Sequence, residues 1–131
     1  MGRAPRFGWR WVVGVACASA LTACKPEIDI VLQSSALPAP EFRLSMRGEP
    51  KARFVEGRVV EAGEDPRTAP VLWSFRAEVF GVHAGAERLV YGEPPDGFES
   101  TAGPKPLEPG VRYRLILAGK GWGQLEFSPG S

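Results

Sequence analysis

The sequence predicts an all-β fold, a single small antiparallel sandwich or barrel. Three observations carry that expectation. Past residue 24 no apolar pattern holds helical spacing for three turns, whereas period-two alternation recurs along the chain. Clusters of Pro, Gly and acidic residues separate the alternating runs, as turns separate short strands. The chain has 131 residues, 44% of them hydrophobic and 24% charged, which suits one folded domain and leaves little room for a second.

The first 23 residues read as an address. Met1 to Arg10 carries Arg3, Arg6 and Arg10 with no acidic residue, and an apolar run follows from Trp11 to Ala23. This is the layout of an export signal. The run is shorter than the roughly 20 residues that span a bilayer. It closes on Leu21-Thr22-Ala23-Cys24, which resembles the lipobox of bacterial lipoproteins: a branched apolar residue, two small residues, then Cys. In that family the signal peptide is cleaved just before a Cys whose thiol carries a diacylglycerol. The resemblance implies lipid attachment at Cys24 and a mature chain that starts there. Cys17 follows Gly14-Val15-Ala16 and lacks the leading Leu.

Cleavage would leave 131 − 23 = 108 residues. Three Arg and no acid leave with the signal, so 16 basic and 15 acidic groups become 13 and 15, a net charge of −2. Cys17 departs and Cys24 is acylated, so no disulfide is expected. Two or three acyl chains anchor a protein stably. Residue +2 of the mature chain is Lys25 rather than Asp. By resemblance to Gram-negative lipoproteins, this implies an outer-membrane anchor facing the periplasm. The expected organisation is residues 1–23 as signal, 24–40 as an N-terminal strand and tether stiffened by Pro38 and Pro40, and 41–131 as the sandwich.

Strands are expected where one face of an alternating run is apolar. In order these are Ile28/Ile30/Leu32, Phe42/Leu44/Met46, and a stretch from Ala52 to Glu61 that could bulge at Gly57. Val71/Trp73/Phe75/Ala77/Val79, a short run from Arg88 to Gly92, Val111/Tyr113/Leu115/Leu117 and Gly123/Leu125/Phe127 complete the set. Turns fall at Leu37–Pro40, Gly48–Pro50, Gly63–Pro66 and Glu93–Gly97.

Leu107-Glu108-Pro109-Gly110-Val111-Arg112-Tyr113 runs into the Val111 strand. It resembles the tyrosine corner of fibronectin type III and related immunoglobulin-like sandwiches. That likeness implies a structural Tyr113 whose hydroxyl bonds to upstream backbone, and a core role for Trp73. It covers about a dozen residues and sets no strand order. The wider layout resembles small lipoproteins of proteobacteria, a likeness that implies no activity.

Candidate chemistry is sparse. The single His, His83, sits in Phe80–Gly85 as an exposed loop residue, and no Gly-x-Ser-x-Gly elbow accompanies it. A zinc site needs several Cys or His ligands that the mature chain lacks, so no metal and no cofactor is expected. Glu64/Asp65 and Asp96/Glu99 pair carboxylates, but in turns, where a near-normal pKa makes a poor general acid. The expectation is a non-catalytic, lipid-anchored cell-envelope protein acting through protein–protein or envelope contacts. The alternative is a binding module for an envelope glycan or anionic lipid, with Trp122, Lys120, Arg112 and Arg114 as contacts. Arg43, Arg47, Arg76, Arg112 and Arg114 would form one basic face if their strands shared a sheet. Pairing with Glu56, Glu78 or Glu126 across strands is the simpler expectation. A negative mature chain in that compartment does not fit nucleic acid.

Overall fold

The computed structural model describes residues 25–63, 65–79 and 84–130. The signal segment, lipobox residues Leu21, Thr22, Ala23 and Cys24, and His83 lie outside the described residues. Every regular element among those described is a strand: β1 Ile28–Ser34, β2 Glu41–Met46, β3 Ala52–Phe54, β4 Glu56–Glu61, β5 Val71–Ala77, β6 Ala84–Ala86, β7 Arg88–Val90, β8 Phe98–Ala102, β9 Tyr113–Ala118 and β10 Trp122–Phe127.

The strands form a small antiparallel β-sandwich. A three-stranded sheet in the order β1-β2-β7 packs on a five-stranded sheet in the order β10-β9-β4-β5-β8, with β3 and β6 as a side ribbon. The core between them follows the alternation in the sequence. Phe42, Leu44 and Met46 from one sheet meet Trp73, Phe75, Tyr113, Leu115, Leu117 and Phe127 from the other. Rings cross the interface edge-on, Phe42 against Phe127 at 5.0 Å between centroids, a favoured geometry for aromatic pairs. Trp73 is fully buried beside Phe75 at 4.5 Å, and its indole N–H donates to Ser100 Oγ at 3.0 Å.

The corner before β9 closes as its residues imply. Tyr113 is 3% exposed, and its hydroxyl accepts the Glu108 N–H at 2.9 Å. Gly110, at φ 80, makes the turn, and its N–H donates to the Pro129 carbonyl. The hydroxyl bond of the corner is local, and the Gly110 bond ties the corner to the C-terminal segment.

Several expected boundaries move. The Ala52–Glu61 run is two strands broken at Val55, with no bulge at Gly57. Val55 donates to the Ala118 carbonyl and accepts from Ala77 N–H, so the chain changes sheets at that residue. Gly57 instead pairs regularly with both Phe75 and Leu117. The run through Val79 stops at Ala77, and Val79 is 63% exposed. Strands β6 and β8 were not expected. Glu99, expected in a turn, lies in β8.

The segment expected as a tether belongs largely to the sandwich. Ile28 is 2% exposed, β1 pairs with β2 from Ile28↔Met46 to Ser34↔Glu41, and Pro40 is fully buried. A boundary at residue 40 would cut between two paired strands. The apolar side of β1 is the reason: Ile28 seals the gap beside β10, so closely that a Cβ on Gly123 would overlap the Ile28 carbonyl.

Candidate functional site

The four residues expected to contact a ligand come from one hairpin, β9–β10, and the hairpin separates them. Its register sets Trp122 opposite Ala118 and Glu126 opposite Arg114. Trp122 and Lys120 therefore sit at the turn, while Arg112 and Arg114 sit at the other end. The Trp122 and Arg114 positions are four residues apart along the ladder, about 14 Å at ~3.4 Å per residue.

Arg112 and Arg114 are engaged at their end. Arg114 Nη2 donates to Glu126 Oε2, and Arg112 Nη1 lies 3.6 Å from Glu126 Oε1. The Arg114 hydrogen bond holds the Glu126 carboxyl below its ordinary 4.5. The Arg67 side chain and backbone N–H do the same for Asp65. A carboxylate kept ionised by a guanidinium is a poor proton donor near neutrality.

The arginines do not make one basic face, because they divide between sheets. Arg43 pairs in register with Arg88 on the outside of the smaller sheet, where Arg88 bonds Glu41 at 3.1 Å. Arg58, Arg76 and Arg114 lie on the outside of the larger one. Arg76 is in register with Glu56 there, and Arg47 lies in a turn. Cross-strand ion pairing is thus present at Glu126, and Arg76 faces Glu56 in register.

Three concavities lie on the surface of the described residues, one of them, of 490 Å³, lined by Lys51, Glu87, Arg88, Glu93 and Asp96. One of 720 Å³ on the smaller sheet is open and mixed in charge, lined by Glu41, Arg43, Ser45, Glu49, Glu87 and Arg88. One of 360 Å³ on the larger sheet is lined by Arg58, Ser74, Arg76, Thr101 and Ile116. Arg58 is half-buried there; its Nη2 donates to the Pro66 carbonyl at 3.1 Å, and its buried Nε has no protein partner. Among the described residues no group of three or more His, Cys, Asp and Glu is placed to hold a metal. Tyr91, 5% exposed, hydrogen-bonds the Lys105 carbonyl at 2.7 Å, and burial pushes its pKa up to about 12. It packs on Trp73 inside the core at 5.3 Å between ring centroids.

The Trp122 end differs from these concavities. Trp122 is 42% exposed, a large apolar surface in a protein that otherwise shows only Val31 and Val79 of comparable size among the described residues. Its backbone N–H donates to the Pro26 carbonyl at 3.0 Å, and Glu27 bridges to it in parallel. Gly121 N–H donates to the Arg53 carbonyl at 3.0 Å. The hairpin turn is thereby bound to the first described residues and to β3. Sequence reasoning found Trp122 and Lys120 but missed Lys25, Arg47 and Arg53 as their neighbours. Only non-local pairing brings those segments together.

The chain matches no family model, no curated protein and no solved structure.

Proposed function

We propose that this chain is a lipid-anchored, non-catalytic protein of the bacterial cell envelope, held in the outer membrane facing the periplasm and acting through contacts with envelope partners. The observation that carries the reading is Leu21-Thr22-Ala23-Cys24 at the close of a basic, then apolar, leader. Two features of the domain support it. Its ion-paired carboxylates are held ionised by neighbouring Arg and are poorly suited to general acid work. Its concavities are open, with charged side chains of both signs beside apolar ones and no converging set of polar groups. The four contacts expected of the alternative, a binding module for an envelope glycan or anionic lipid, fall into two separate places and do not make one site, which favours the contact reading.

The test is metabolic labelling with an alkyne fatty acid, followed by membrane fractionation. The chain takes up label and sediments with membranes. Cys24→Ser loses both, while Cys17→Ser retains both. Label persisting on Cys24→Ser would overturn the anchor assignment. A crosslinked-membrane pull-down that returns no reproducible envelope partner would overturn the contact role.

A further inference from the structure

We infer that the pole of the sandwich carrying Trp122 lies against the anionic lipid surface that holds the anchor, with the Trp122 ring at headgroup depth and Lys25, Arg47, Arg53 and Lys120 over the lipid phosphates. This rests on the lipid-anchor reading and adds to it the orientation of the domain.

Reach comes first. Cys24 is two residues from Pro26, so their Cα atoms are no more than about 7 Å apart. Pro26 is hydrogen-bonded to Trp122, and β1 starts at Ile28 with its first side chain buried. No stalk separates the acylation point from the sandwich. An acyl chain in the bilayer would bring this pole to the headgroups.

Chemistry at the pole fits what it would meet. Trp is enriched at membrane interfaces because its ring is apolar with a polar N–H. Trp122 is exposed here, whereas Trp73 is fully buried. Around the hairpin turn stand four cations (Lys25, Arg47, Arg53, Lys120) and three carboxylates (Glu27, Glu49 and Glu56, the last set opposite Ala118, which in turn faces Trp122). That is 4 − 3 = +1 on a mature chain of net −2, so charge is tilted toward the anchor; Lys51 instead lines a concavity with Glu87, Glu93 and Asp96. Glu78 and Asp96 also lie at this end, but at the β5–β8 corner, on the opposite edge of the sheet from β10. Basic residues near an anionic leaflet add attraction that decays within a Debye length.

The Arg47 backbone is an independent observation. Met46 and Glu49 exchange both backbone hydrogen bonds around Arg47-Gly48, with φ 53 and 77. A two-residue turn with positive φ at both positions favours Asn-Gly or Gly-Gly. Arg costs more there than either. The fold accepts that cost to place a cation at the tip of a turn on this pole.

The test uses the lipidated chain, purified in detergent and reconstituted into vesicles of phosphatidylcholine and phosphatidylglycerol with brominated phosphatidylcholine as quencher. Trp9 and Trp11 leave with the signal, so Trp73 and Trp122 are the fluorophores. Bromine quenches part of the emission, and Trp122→Phe removes the quenched part while Trp73 emission persists. Lys120→Gln and Arg47→Gln retain Trp122 and serve as probes even where Trp122→Phe misfolds; each lowers the docked-to-free ratio by about fivefold. Vesicles without phosphatidylglycerol weaken docking more than either single substitution does. Unquenched Trp122 in protein that still floats with vesicles overturns the orientation and leaves the anchor intact. Protein that neither floats nor carries acyl label overturns the anchor reading itself.

Discussion

Gly57→Ala separates backbone propensity from packing. By propensity alone the substitution should help, because Gly within a strand costs ~0.5–1 kcal/mol relative to Ala. The structure argues the opposite sign. Gly57 is in register with Phe75 on one side and Leu117 on the other, and a Cβ would overlap the Phe75 ring and the Leu117 Cδ2. Phe75 has nowhere to go: it is 1% exposed and held by Trp73 at 4.5 Å, Phe98 at 6.0 Å and Phe54 at 6.3 Å. Overpacking a filled core costs about 1–3 kcal/mol. Against the propensity gain, the net is a loss of about 1–2 kcal/mol. Urea unfolding followed by tryptophan emission reads this directly. With m of about 1–3 kcal/mol/M, the midpoint falls by about 0.5–1 M. In a Phe75→Leu background the end of the ring is gone, and Gly57→Ala costs less than in the parent. A midpoint that rises, or a cost unchanged by Phe75→Leu, would refute the packing argument.

Two further outcomes follow from the tyrosines. Tyr113→Phe removes the acceptor for Glu108 N–H, a loss of about 1 kcal/mol, read by calorimetry as a fall in Tm of about 5 °C for a domain of this size; an unchanged Tm would mean the corner contributes only through its ring. In that same variant Tyr91 is the remaining tyrosine, and absorbance at alkaline pH shows it ionising near 12 rather than 10.0. Its folded pKa is raised, so the neutral phenol contributes stability fully below pH 10.0, and that contribution is lost as pH rises from 10.0 toward 12. Ionisation near 10.0 in the folded protein would show that Tyr91 is not buried.

What the sequence made legible was local. Period-two alternation located β1, β2, β5, β9 and β10, since one buried face dictates every second side chain. The Pro109-Gly110-x-x-Tyr113 corner was readable because its hydrogen bond spans five residues. Strand β8 was hidden because it is an edge. Glu99, Ser100, Thr101 and Ala102 are all exposed, and Phe98 alone reaches the core. Strand β6, Ala84-Gly85-Ala86, carries too little side chain for any pattern. Whether the outward arginines share one face was hidden for a different reason. Alternation shows that Arg43 and Arg114 point outward but not that they point away from each other, which depends on sheet assignment. The same limit hid Lys25, Arg47 and Arg53 as neighbours of Trp122.

The meeting of β1 with β10 also bears on when the fold can close. Pro26 bonds to Trp122, and Ser35 accepts from Gly130 N–H. Those partners stand at opposite ends of the domain. A chain emerging residue by residue from a narrow channel, N-terminus first, has no partner for one side of β1 until the last dozen residues are out. Contacts of such long sequence separation form late, after much loop entropy has been lost. Closing this edge of the sandwich therefore waits on the C-terminal hairpin, however early β1 pairs with β2.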